Sequence, residues 1–437
     1  MHLSNLINSL PPYHFADAKK KIADRKAAGV DVINLSMGDP DLPAPQPVID
    51  RLSAALKDSE NHRYPEYFGM RALHIAFVTW FKQRFEVRLT PERDTLPLLG
   101  SKEGLAYVGT AILNAGDVSL IPDPCYPVYT TASTNVGAEA YKLPLLKENN
   151  YQPDLEHIPA NVLAKSRLLW LNYPNNPTAA CADLAFFEHA VEFARSHHLA
   201  IIHDMAYAEV YFDEYRPISI LQVPGASEVA VELHSLSKTY NMAGFRVGML
   251  VGNPDIVNAV GRLKSNIDSG MFRPIQYAAI EAMQLPDSWL QERNAIYRHR
   301  RDLLVNGCNA LGMHTQNPKA GLYIWAEIPK GFTSRDFANW LFDKTGVFIT
   351  PGTNFGDDGE GYVRISITAP KERIEIALQR MKTALEAQTI ALFLLKRRGQ
   401  LAFHSPLLYG GCNCGGKGYE MPGSGKSRCS ELPEVSK

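Results

Sequence analysis

Between about residues 105 and 251, short apolar runs alternate with longer stretches whose apolar residues recur at helical spacing. Runs at 118–120, 168–171, 200–203, 229–234 and 248–251 have strand length, whereas 105–113, 184–195 and 255–265 read as amphipathic helices. Alternation of this kind builds βαβ units, so the pattern predicts an α/β fold with a doubly wound, largely parallel sheet covered on both faces. Ligands of such sheets sit outside the carboxyl ends of the strands. Polar residues just past each strand therefore carry the information about chemistry.

The pattern differs on either side. Residues 16–28 are helix formers, and 30–35 read as a short strand that delivers the turn Ser36-Met37-Gly38-Asp39-Pro40-Asp41. Beyond residue 285 come a helix at 289–311, an apolar run at 320–325, a helix at 335–342, strands at 347–349 and 362–367, and a final helix at 371–386. This α+β pattern predicts a smaller domain over residues 286–387, joined by the N-terminal segment 1–45, beside a large domain over 46–285. From residue 388 an apolar run and Lys396-Arg397-Arg398 lead into a Gly-, Ser-, Pro- and Cys-rich tail without periodicity. Residues 388–437 are expected to be poorly ordered or atypical.

Composition sets limits rather than a function. The 437 residues are 45% apolar and 21% charged, as in an ordinary globular chain. Lysine plus arginine (45) and aspartate plus glutamate (46) nearly cancel, so neither nucleic acid nor an anionic membrane is expected as a partner. No apolar stretch reaches the ~20 residues that span a bilayer, and the first residues lack an export signal, so a cytoplasmic location is expected. Cys125, Cys181 and Cys308 are scattered and read as reduced thiols. Cys412 and Cys414 lack a matching second pair or histidine cluster, so no metal site is expected.

Four motifs follow predicted strands or turns. Lys238 lies in His234-Ser235-Leu236-Ser237-Lys238-Thr239-Tyr240, with Arg246 eight positions on; an amine among hydroxyls with an arginine nearby suits a Schiff-base lysine beside a bound phosphate. Gly100-Ser101-Lys102-Glu103-Gly104 opens a helix whose free N–H groups favour an anion, although a plain helix cap explains it as well. Asn172-Tyr173-Pro174-Asn175-Asn176-Pro177-Thr178 reads as a turn at the ligand edge, where Asn176 is placed to donate to a phenolate oxygen. Asp204 ends an apolar strand, where a carboxylate is costly to bury without a cation or donor, and Tyr207 follows three residues later; a simple helix cap is the alternative. Their joint occurrence, in order, points to pyridoxal phosphate (PLP).

These segments resemble the class I/II aminotransferases of PLP fold type I over roughly residues 5–386. The stretches Ser36-Met37-Gly38-Asp39-Pro40, Gly100-Ser101-Lys102-Glu103-Gly104, His203-Asp204-Met205-Ala206-Tyr207 and Tyr240-Asn241-Met242-Ala243-Gly244 are similar to the LL-diaminopimelate aminotransferase group and to glutamate–pyruvate (alanine) aminotransferases. The resemblance implies a large domain with a mostly parallel seven-stranded sheet and a smaller α+β domain. It assigns Ser101, Lys102, Ser235, Ser237 and Arg246 to the cofactor phosphate and Tyr126 to stacking on the pyridine ring. Asn176 and Tyr207 would hold the ring oxygen, Asp204 the ring nitrogen, and Lys238 the cofactor itself. Gly38 and Arg364 would receive the substrate carboxylate, with Asn176 and Tyr13 on the substrate side. Tyr64 would reach the phosphate of a neighbouring subunit, which implies a homodimer with shared sites.

The implied activity is ping-pong transfer of an amino group from an L-amino acid to a 2-oxo acid, 2-oxoglutarate being the expected acceptor and LL-diaminopimelate the leading donor. Alanine chemistry is the alternative, since Ala179 stands where most of the superfamily has glycine, as it does in alanine aminotransferases. Residues 264–270 instead resemble the diaminopimelate group. A PLP-dependent lyase would share the cofactor residues without a matched carboxylate clamp. A non-catalytic regulator would need a DNA-binding extension ahead of residue 1.

Overall fold

The computed structural model describes residues 1–10 and 14–402. Its strands, in chain order, are β1 (Ile33–Asn34), β2 (Thr95–Leu98), β3 (Val118–Asp123), β4 (Glu139–Pro144), β5 (Ser166–Leu171), β6 (Ala200–Asp204), β7 (Ala230–Ser235), β8 (Gly248–Gly252), β9 (Tyr323–Glu327), β10 (Val347–Phe348), β11 (Thr350–Pro351) and β12 (Tyr362–Ser366). Seven of them form one sheet in the order β2-β8-β7-β6-β5-β3-β4. All contacts from β4 to β7 are parallel, and β8 runs antiparallel to both β7 and β2. Helices such as Ser101–Ile112, Leu184–Ser196 and Pro254–Ser265 connect the strands. The inner strands β3, β7 and β8 are buried along their whole length, as expected for a sheet covered on both faces.

Two of these strands escape the hydrophobic pattern for physical reasons. β2 is four residues long and contains Pro97, which has no N–H to donate and is tolerated because β2 is an edge strand. β4, at the other edge, reads Glu-Ala-Tyr-Lys-Leu-Pro and is largely solvent-facing. The helix Arg71–Phe85 packs against β2 and buries Leu73, Phe77, Trp80, Phe81 and Phe85 in the sheet core.

The remaining strands form a second layer. β11, β12 and β9 make an antiparallel sheet, and β1 pairs with β10 in parallel, Ile33 opposite Val347. Their apolar faces share a core with Tyr297, Leu304, Phe337 and Leu341. Residues 1–386 make one compact unit, and the second unit begins at Ala387. The expected end of the last helix at residue 386 is corrected: it runs Lys371–Ala402, because no proline interrupts the good helix formers of 387–398. The expected Cys-rich tail from 403 onward lies outside the described residues.

Candidate active site

The strand register gathers the predicted residues at one edge of the large sheet. Leu98 and Ser235 both lie opposite Gly248, so β2, β7 and β8 reach that edge at one level. Past β2, Gly100 turns the chain with φ 85° into the helix Ser101–Ile112. A Cβ at Gly100 would overlap the Arg246 guanidinium, and one at Gly248 would overlap the Ser101 N–H; both positions require glycine because backbone, arginine and helix start are in contact there. Arg246 Nη1 donates to the Ala243 carbonyl at 3.1 Å and reaches Ser237 Oγ at 3.5 Å. A helix N-terminus, a guanidinium and two serines thus converge as an anion cradle.

Lys238 follows β7 on a single helical turn, and its amine donates to the Gly38 carbonyl at 2.5 Å. Burial, together with Arg246 and Arg364, pulls its pKa down to about 8 against the opposing pull of Asp39. Asp204 ends β6 and is buried; its carboxylate accepts from the Tyr129 hydroxyl at 2.8 Å and from the Ala206 N–H at 3.2 Å. Burial pushes its pKa up, and neither of these donors is a cation. The Tyr173–Thr178 turn is fastened from inside: Asn172 donates to the Asp204 carbonyl at 2.7 Å and accepts from the Asn176 N–H at 2.8 Å. The same turn places Ala179 at φ 59°, a left-handed backbone that explains why glycine is usual there.

Arg364, from β12, is buried and donates to Asn176 Oδ1 at 2.7 Å and to the Ser36 carbonyl at 2.6 Å. Tyr126 is half-buried, with the Lys102 ammonium 5.8 Å from its ring centre. The cavity enclosed by these groups measures about 540 Å³. Every residue singled out from the sequence lines it except Tyr64 and Tyr13. Tyr64 is 85% exposed and stands away from the cavity, and Tyr13 lies outside the described residues. At Gly38 a Cβ would overlap the Tyr323 ring and hydroxyl, so Tyr323 by itself already calls for glycine there.

Sequence reasoning missed Tyr129 and Tyr323, and it missed a buried cluster behind the site. Glu232 accepts from His203 at 3.0 Å, His234 at 2.6 Å, the Ser219 hydroxyl at 2.9 Å and the Ile220 N–H at 3.0 Å. His203 and His234 immediately precede Asp204 and Ser235, so the cluster ties together the two strand ends that carry them. Among the described residues no group of histidine, cysteine or acidic side chains could hold a metal ion.

A family model for aminotransferases of class I and II matches residues 30–381, and the chain belongs to that family. Its relatives include LL-diaminopimelate aminotransferases from Dehalococcoides mccartyi, 49% identical over 381 residues that cover 87% of this chain and 98% of that protein, and from Moorella thermoacetica, 47% identical over 385 residues that cover 88% and 99%. Among solved structures, substrate-bound BacF from Bacillus subtilis superposes with a TM-score of 0.85 at 36% identity, covering 88% of this chain and 98% of that one. A probable N-succinyldiaminopimelate aminotransferase from Thermus thermophilus gives 0.79 at 34% identity, with 84% and 98% covered.

Proposed function

We propose that the protein transfers the amino group of LL-diaminopimelate to 2-oxoglutarate with pyridoxal phosphate as cofactor. The observation that carries this reading is the meeting, in one cavity, of a half-buried amine, a buried carboxylate with no cationic hydrogen-bond partner among the described residues, an anion cradle and a buried arginine. The donor set fits the cofactor. Ser101, Lys102, Ser235, Ser237 and Arg246 would hold its phosphate, Asp204 the proton of its ring nitrogen, Asn176 and Tyr207 its ring oxygen, and Tyr126 its face. When bound, this cofactor supplies a ring that accepts electron density from the substrate Cα.

Lys238 is the group that takes the Cα proton and returns it, and a pKa near 8 keeps part of its population neutral at working pH. Arg364 would grip the α-carboxylate with its two outer nitrogens, orienting every amino and oxo acid alike. The similarity to LL-diaminopimelate aminotransferases supports the choice of donor. Residues 46–285 and 286–387 would act as large and small domains flanking the cavity. Tyr64, Tyr67, Phe68, Ile267 and Phe272 are exposed apolar side chains on two segments joined by the Arg273–Glu66 ion pair, a patch suited to a second copy of the chain.

Half-reaction spectroscopy tests the reading. LL-diaminopimelate should convert the bound cofactor to its amine form faster than alanine, glutamate or aspartate does, and Lys238→Ala should abolish turnover while the protein stays folded. Faster conversion by alanine would move the enzyme to the alanine group, and retained steady-state turnover in the variant would overturn the assignment.

A further inference from the structure

Tyr323 in β9 is buried and lines the cavity, yet the reading above gives it no task. Its ring lies over Arg364, with the guanidinium carbon 4.0 Å from the ring centre. Its hydroxyl is 2.9 Å from that of Tyr207, and the two rings meet edge to face at 5.6 Å. Its tip occupies the space a side chain at Gly38 would need, beside the carbonyl that holds the Lys238 amine. One side chain therefore touches the groups assigned to substrate carboxylate, cofactor oxygen and the lysine-holding loop.

The strand register explains the placement. β12 pairs antiparallel with β9, Ser366 opposite Tyr323, so Arg364 is the diagonal neighbour on the same face. Phe355 lies on the guanidinium as well, at 4.5 Å. Aromatic contact with the flat face leaves the edge donors free to point in plane, where Asn176 and the Ser36 carbonyl now receive them. The hydroxyl pair obeys a separate constraint. Tyr207 has one proton, and a hydroxyl that gives it to a ring oxygen must accept, not donate, toward Tyr323. A hydroxyl that accepts a hydrogen bond is the stronger donor, most of all in a dry site.

We propose that Tyr323 is a positioning residue with two separable parts: its ring sets the plane of Arg364 for the substrate carboxylate, and its hydroxyl directs and strengthens the Tyr207 bond to the cofactor ring oxygen. The inference rests on the aminotransferase reading.

The test compares wild-type holoenzyme with Tyr323→Phe and Tyr323→Leu. A donor on the ring oxygen favours the deprotonated chromophore, so weakening it raises the pH midpoint of the cofactor's visible absorption. Tyr323→Phe should raise that midpoint by about half to one pH unit, with KM for amino and oxo acid within about twofold of wild type. Tyr323→Leu should in addition raise both KM values by about tenfold. An unmoved midpoint in the phenylalanine variant, or unchanged KM in a folded leucine variant, overturns the proposal, even if both variants melt at lower temperature. Should the leucine variant not fold, the phenylalanine midpoint decides. A wild-type protein that takes up no pyridoxal phosphate overturns the functional reading and this inference with it; normal uptake with an unmoved midpoint overturns this inference alone.

Discussion

The Lys238 amine is hard to charge where it sits, because burial and two nearby guanidiniums oppose the proton. With a pKa near 8 its neutral form becomes the major one above that pH, and in the proposed function that form would attack the cofactor's carbonyl. Capture of pyridoxal phosphate by the cofactor-free enzyme should therefore accelerate as pH rises through about 8 and then level off, as stopped-flow absorbance would show; a flat profile contradicts the assignment. Arg364 offers a different test. Lysine in its place keeps the charge but loses the fork, so Arg364→Lys should lower kcat/KM for donor and acceptor alike by about a hundredfold. That Lys238, Asp204, Asn176 and Arg246 share one cavity was legible in the sequence because polar groups in the connections that follow buried strands stand out. Tyr129 and Tyr323 were not. An aromatic residue in an apolar run reads as core, and only long-range register brings Tyr129 to Asp204 and Tyr323 to Arg364.

At the scale of elements, what could be read followed burial. The inner strands β3 and β5 to β8 were legible as apolar runs, whereas the edge strands β2 and β4 carry the proline and charges that an edge tolerates. Turn geometry was half legible: the prolines and asparagines marked the 172–178 turn, but the left-handed backbone of Ala179 did not show except as a missing glycine. That residue gives a prediction. Ala179→Gly should relieve the strained φ, partly offset by glycine's greater unfolded freedom, and stabilise the fold by about 0.5–1 kcal/mol, seen as a higher unfolding midpoint in denaturant. A fall in that midpoint would mean the turn is not strained.

For the molecule as a whole, Glu232 links charge to stability. Burial opposes its ionisation, but hydrogen bonds from His203 and His234 overcome it and hold the pKa near 2, below the usual glutamate value. A depressed folded pKa adds stability above about pH 4.5 that is lost as pH falls through about 2. Glu232→Gln should cost about 3–5 kcal/mol at neutral pH, and its thermal midpoint should fall less steeply with acid than that of the wild type. Association supplies another test: the exposed patch around Tyr64 predicts twice the chain mass in solution by light scattering, with a polar substitution at Phe68 shifting the protein toward monomer. Finally, the antiparallel strand β8 has a consequence for synthesis. β2 cannot be zipped into the sheet until residues 248–252 arrive, and Gly248 is the floor on which the Ser101 turn rests. The anion-cradle end of the pocket, though half of it is encoded in the first quarter of the chain, therefore comes into being only after residue 252 of 437 has been made.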